Sequence, residues 1–424
     1  MLGSDSIGNG LDTALLPEGA PGASSAPPRI ALLDNAKAFL IYFVVVYHLA
    51  VVYTSADRPE APVAYWSGFL VVLKPVVIPG WCLISGHLSR AALSRRHARG
   101  LSQVMLTYVL FQTLYYLNNW LSFKLNGFPF PALPVQVFQP QEQVVTWFLL
   151  ALVLWRTLLP LVVQLRWPLT ISLLLGLAAL FVDLGLNHQN LFSFLPYFVA
   201  GHLLPRSTWD VLSRPALRAS LAALFVVVTA ALIAFSAYGG ERFKQLFLLS
   251  VVNYACFTGA LPNTEQACGT LGQLGLRALF YAASIPLLLG FLCLLPTRRG
   301  LWTAPGYMSM YTYLLHPLVI TNPLVMRAAF DALSSLYGRE VNVWSPATAG
   351  SAVAMLLPVA FVCTVLLSTP PTRMLFRLLV EPPIGWLFAD SSGGATRARP
   401  SELRESQGPW VPPNVVVTSG GSAR

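Results

Sequence analysis

Charge is what this sequence has least of: 10% of its 424 residues are Asp, Glu, Lys or Arg, against about 25% in soluble domains. That scarcity, with a mean hydropathy of +0.62, excludes an ordinary water-soluble globule and points to a chain that crosses a membrane many times. Cysteine is also scarce, and five of them exclude a disulfide framework. Cys82, Cys293 and Cys363 lie in apolar runs and read as small hydrophobes. Cys256 and Cys268 share one long loop, where they either pair or stand as free thiols. There is no Asn-x-Ser/Thr sequon, so glycosylation gives no check on orientation. The lysine loop of nucleotide hydrolases, the dinucleotide glycine fingerprint, the nucleophile elbow and Cys/His metal spacings are all missing, and no metal is expected.

The ends of the chain lack apolar runs as well. Residues 1–28 are rich in Gly, Ala, Ser, Pro and Asp, with neither the basic start nor the apolar middle of a cleavable signal, and read as a disordered tail. Residues 391–424 read the same way. Between these tails, residues 29–370 are expected to form one membrane domain, followed by an interfacial amphipathic segment over 371–390.

What is present is a series of apolar stretches, each near the roughly 20 residues a spanning helix requires. Ten fall near 38–54, 66–88, 103–122, 144–164, 168–185, 190–204, 216–238, 276–296, 305–323 and 349–369. Residues 243–261 form an eleventh candidate, equally readable as an interfacial or re-entrant piece. The expected fold is therefore all-α, a polytopic bundle of about ten transmembrane helices. The formal charge of +10 would suit nucleic acid, but the basic residues cluster between apolar spans, as topology signals do. With ten spans, Arg90, Arg95, Arg96 and Arg99, Arg156 and Arg166, Arg206, Arg214 and Arg218, Arg298 and Arg299, and Arg373 and Arg377 all fall on one side. That side is expected to be cytoplasmic, with both termini.

Against this background the ionisable groups inside the spans stand out. His48 lies past the middle of the first span, where a titratable side chain is costly and calls for a partner, a polar cavity or a reaction. Lys37 precedes it by eleven positions, so the two share nearly one helix face, about 16 Å apart, and Asp34 lies close to that stripe. Lys37 taken alone also fits interfacial snorkelling. His316, in Ser309-Met-Tyr-Thr-Tyr313-Leu-Leu-His316-Pro317, lies at a depth matching His48; it would share a cavity with it, or cap backbone groups freed by Pro317. His87 and His202 follow near-repeated Gly-His-Leu contexts ending two spans, and read first as interfacial anchors.

The run Arg29-Ile-Ala-Leu-Leu-Asp34-Asn-Ala-Lys37, ten residues and His48 resembles the opening of the acyltransferase 3 family of integral-membrane acyltransferases. Ile84-Ser85-Gly86, Thr146-Trp147-Phe-Leu-Leu-Ala-Leu-Val-Leu-Trp-Arg156, Phe194-Leu-Pro-Tyr-Phe-Val-Ala-Gly201 and Ser309-Met-Tyr-Thr-Tyr313-Leu-Leu-His316 follow in the family's order, closest in flavour to its fucose 4-O-acetylase-like branch. The chain departs from the pattern with Lys37 where Arg is commoner, and with His87 and His202 where an aromatic often stands.

The resemblance implies transfer of an acyl group, usually acetyl, from a cytosolic acyl-CoA (acetyl-CoA) to a hydroxyl of a carbohydrate or other acceptor across the lipid bilayer. His48 would be its essential histidine, either general base or acyl carrier. Lys37 and His316 complete the candidate catalytic set. Asp34, Ser85, Arg90, Trp147 and Tyr313 are candidates for donor and substrate binding. A polytopic transporter of a small polar or lipid-linked solute is the competing reading, since about ten spans with buried polar groups suit one as well.

Overall fold

In a computed structural model the described residues are 30–54, 63–91, 94–125, 145–181, 188–249, 270–322, 331–332, 335 and 349–388. The tails, the loop holding Cys256 and Cys268, and most of 243–261 lie outside them. Among the described residues the chain is helical, and each of the ten expected spans has its counterpart: α1 (Ala31–Thr54), α2 (Val63–His87), α3 (Arg95–Leu125), α4 (Trp147–Val162), α5 (Pro168–Ala178), α6 (His188–Leu203), α8 (Pro215–Leu249), α9 (Thr270–Leu294), α11 (Ser309–Ile320) and α12 (Ala349–Leu367). The all-α, polytopic membrane class therefore holds. Residues 243–249 simply continue α8. Two shorter helices had no separate signal, α7 (Ser207–Leu212) and α10 (Thr303–Tyr307), while α13 (Pro370–Val380) falls within the segment 371–390 set apart in the sequence.

Proline sits inside α2, α4, α6, α9, α11 and α12 without ending any of them. Such placement is tolerated in membrane helices because neighbours re-satisfy the freed backbone groups. Between membrane helices no hydrophobic force acts, so close van der Waals packing through small residues holds them together. Gly86 on α2 and Gly201 on α6 show how close: a Cβ on Gly86 would lie 1.9 Å from the Phe198 carbonyl, and one on Gly201 the same distance from the Leu83 carbonyl. The repeated Gly-His motifs are thus the two halves of one helix contact.

The ninth span is broken where a single helix was expected. Gly306 lies against the backbone of α1, where a Cβ would stand 1.9 Å from the Asp34 carbonyl. The helix turns at Met308, with φ −91° and ψ 7°, before resuming as α11. Tight seating on α1 takes precedence over helix continuity. Outward, α8 presents Val226, Val227 and Phe235, each over 60% exposed, as a lipid-facing helix would. From Ile384 onward the chain forms a separate unit, whose described part is a single turn of 3-10 helix at Gly385–Leu387.

Candidate functional site

The site is built on α1 and α11. Each carries an apolar run interrupted by one histidine, and those histidines meet: His316 Nε2 lies 2.9 Å from His48 Nδ1, with ring centroids 5.0 Å apart. His316 is fully buried. Its other nitrogen, Nδ1, lies 2.9 Å from the Thr312 carbonyl one turn back. A carbonyl only accepts, so Nδ1 of His316 carries the proton. In a neutral ring Nε2 is then the acceptor, and the proton in the contact between the rings belongs to His48 Nδ1. His48 Nε2 then carries the lone pair of that ring. The chain of bonds thus selects one tautomer of His48, as a partnered second nitrogen does in catalytic histidines generally. His316 thus partners His48, and the carbonyl it bonds is that of Thr312 in its own helix.

Tyr313, one turn back on α11, stands 6.4 Å from the His316 ring and donates its hydroxyl to the Val145 carbonyl before α4. Its ring meets Phe148 at 6.0 Å. Trp147 packs on Phe148 at 5.7 Å and Phe194 at 5.8 Å, joining the site through this aromatic chain rather than facing the histidines directly. Tyr47 meets His48 edge-on at 5.3 Å.

Lys37 lies eleven residues before His48 on α1, with its ammonium 2.8 Å from the Asp34 carboxylate. Lys37 and Asp34 are thus one ion pair, not two separate features. Ser85 and Arg90 are elsewhere. Ser85 is at the far end of α2, where its carbonyl accepts the Ser89 hydroxyl at 2.6 Å, and Arg90 is exposed just beyond. His87 and His202, read as interfacial anchors, each have a hydrogen-bond partner. Trp209 of α7 donates its indole N–H to His87 Nε2 at 2.8 Å. His202 Nδ1 donates to the Ser89 carbonyl at 3.0 Å, and Arg156 reaches the Ser89 hydroxyl at 3.1 Å.

Two groups escaped the sequence reading. Asn35 is buried, and its amide donates to the Pro296 and Arg298 carbonyls at 2.7 and 2.9 Å while its oxygen accepts from Thr303 at 2.7 Å. It ties the start of α1 to the turn between α9 and α10. The other is Lys74, in the middle of α2 and only 4% exposed. It shares a stripe with Leu70, Val77 and Trp81, at the 4-3-4 spacing of one helix face. Leu70 packs with Leu49 and Ile320, and Val77 and Trp81 pack with Val44, Tyr47 and Tyr313. These are the neighbours of both histidines, so Lys74 faces the same interior. The Trp81 indole N–H is buried there with no hydrogen-bond partner. Only the interval around Lys74, apolar at i−4, i+3 and i+7, hinted at this.

No group of three or more His, Cys, Asp or Glu side chains placed to hold a metal ion occurs among the described residues. The described helices thus bring a half-buried His48 and a fully buried His316 together between two apolar helices. A family model described as an acyltransferase domain, that of the acyltransferase 3 family, matches residues 30–369. The chain belongs to this family and is a multi-pass membrane acyltransferase. Neither the curated proteins nor the solved structures contain a match to it.

Proposed function

We propose that the protein transfers an acyl group, acetyl in the simplest case, from cytosolic acyl-CoA to a hydroxyl of a carbohydrate or similar acceptor on the far side of the membrane. His48 is the general base in this reading. Its Nε2 takes the hydroxyl proton as the acceptor oxygen attacks the thioester carbonyl. The C–O bond forms, the C–S bond breaks, and the proton passes from Nε2 to the departing thiolate. The observation that carries this is the bond from His48 Nδ1 to His316 Nε2, because it leaves the opposite nitrogen of His48 as the available base. Positioning and a preorganised charge distribution supply most of the remaining acceleration. Direct attack by Nε2 to make an acyl-histidine uses the same lone pair, and trapping labelled acyl group on the protein in the absence of acceptor separates the two routes.

The orientation in this reading rests on the basic clusters at the Lys37 end of α1, which put both termini in the cytosol. Residues 29–370 form the catalytic domain and 371–390 an interfacial segment. For the latter, α13 offers Arg373 and Arg377 beside Glu381 together with exposed Met374, Leu375 and Leu378. The order of motifs favours the fucose 4-O-acetylase-like branch. The transporter alternative yields to the family assignment.

The test is acyl transfer by the purified protein in lipid, with labelled acetyl-CoA and a panel of sugars, comparing wild type with His48→Ala. Loss of about 10²- to 10⁴-fold is expected for removal of a general base. Equal rates from a folded His48→Ala protein would overturn the assignment.

A further inference from the structure

Where α7 passes into α8 and α9 into α10, an open groove of about 560 Å³ is lined by Ser213, Pro215, Arg218, Pro296, Thr297 and Arg298. Two of these six carry positive charge and none is acidic. Arg218 is held in place: its Nη2 donates to the Leu295 carbonyl at 2.6 Å. Its Nη1 is buried and has no hydrogen-bond partner, which leaves an unmade hydrogen bond on a charged group that borders this space. An unmade hydrogen bond of this kind is costly, and a guanidinium fork matches phosphate oxygens in geometry as well as charge. Pro215 begins α8, so the positive end of a long helix dipole borders the same space.

The groove is tied to the catalytic helix. Asn35 of α1 holds the Pro296 and Arg298 carbonyls of its rim, and Lys37 follows two residues later on α1. Thirteen residues of α1 separate Asn35 from His48, about 20 Å along the axis. A donor whose anionic head lodges at the rim must therefore carry its reactive carbonyl on a long, slender, uncharged arm to reach His48.

We propose that this groove binds the phosphate esters of the acyl donor's nucleotide, with Arg218 as the central ligand and Arg298 as a second. The proposal rests on the acyl-CoA reading above and adds where the nucleotide phosphates are held. A phosphate ester can also come from an anionic lipid headgroup, so the experiment separates the two sources.

The protein is placed in neutral phosphatidylcholine nanodiscs, and KM is measured for acetyl-CoA and for acetyl-pantetheine, which has the arm and thioester but no nucleotide phosphate. Arg218→Gln is expected to raise the ratio of the two KM values about tenfold, as loss of one charge-assisted hydrogen bond would. Arg298→Gln, at an exposed position, is expected to shift it in the same direction without a change in folding. Adenosine 3′,5′-bisphosphate should bind wild type directly by calorimetry and bind Arg218→Gln about tenfold more weakly, with Arg218→Lys between them. An unchanged KM ratio, or an effect of Arg218→Gln that emerges only in discs containing anionic lipid, overturns the proposal. Absence of transfer from either thioester would instead strike the acyl-CoA reading. In that event bisphosphate binding still decides the groove, and wild type that binds no bisphosphate ends the proposal.

Discussion

His316 and His48 lie 268 positions apart in the chain and 2.9 Å apart in space, and the contact between them fixes which nitrogen of His48 is free. His316 itself is fixed by the Thr312 carbonyl, so a single backbone acceptor determines the tautomer of His48 through the His316 ring. His316→Leu keeps the volume and removes the acceptor for His48 Nδ1–H. We expect kcat to fall about 10- to 100-fold with KM nearly unchanged, a smaller loss than for His48→Ala, because general-base catalysis as a whole contributes roughly 10²–10⁴. His316→Gln offers an amide oxygen as acceptor and is expected to recover much of the loss. Steady-state kinetics on the three variants measures this, and equal rates for His316→Leu and His316→Gln would argue against tautomer selection.

The α2–α6 contact gives a prediction about stability. At Gly86 an added methyl would lie 1.9 Å from the Phe198 carbonyl, a backbone atom that moves only with its helix. Gly86→Ala is expected to destabilise by about 3 kcal/mol, near the upper end of overpacking costs. Gly100 on α3 is the control, since a methyl added there would meet nothing within 4 Å, and Gly100→Ala should stabilise by about 0.5–1 kcal/mol through helix propensity. Thermal unfolding in detergent should move in opposite directions for the two.

Asn35 closes two hydrogen bonds from α1 to the turn after α9 and a third to Thr303 at the start of α10. Asn35→Leu strands two carbonyls and the Thr303 hydroxyl, at a cost of about 1–3 kcal/mol. Asn35→Asp should fare no better, because a carboxylate oxygen then faces the carbonyls that the amide donated to. A lowered unfolding temperature for both is the expected reading. An Asn35→Asp protein as stable as wild type would show that these bonds do not carry the junction.

The fold was legible because its signal is coarse. A run of about 20 apolar residues marks a span wherever it falls, and ten runs led to ten helices in order. His48 and His316 were legible for the same reason inverted, as ionisable groups where hydropathy allows few, and their matched depth followed from counting residues inward. Their contact was not, because depth says nothing of which helices are neighbours. Asn35 was hidden among charged neighbours at a helix start, where a polar residue is unremarkable. The break after α10 depends on how closely Gly306 approaches Asp34, a fact about two distant segments that no local pattern contains. Ser85 and Arg90 were grouped as donor-binding candidates at the end of the second span, and the structure has Ser85 in the last turn of α2 and Arg90 just beyond it.

Lys74 gives the last prediction. It was passed over because Val-Val-Leu-Lys-Pro-Val-Val-Ile averages to an apolar span, yet a lysine with 4% exposure is a costly residue for a helix to carry into a bilayer. Exchanging a buried ion for an apolar residue of similar shape is often neutral or stabilising, even where the ion is hydrogen-bonded, because the desolvation cost disappears. Lys74→Met is therefore expected to leave the unfolding temperature unchanged or raise it by a few degrees. A residue kept at such a cost, on the helix face that meets Tyr47 and Tyr313, is expected to matter for turnover, as strained or costly groups commonly do at sites that trade stability for activity. The expected pattern is thus a protein at least as stable as wild type with kcat/KM lowered tenfold or more. Thermal unfolding and acyl transfer measured on the same preparation check both halves. A Lys74→Met protein that is less stable and fully active would reverse the argument and make Lys74 a purely structural ion.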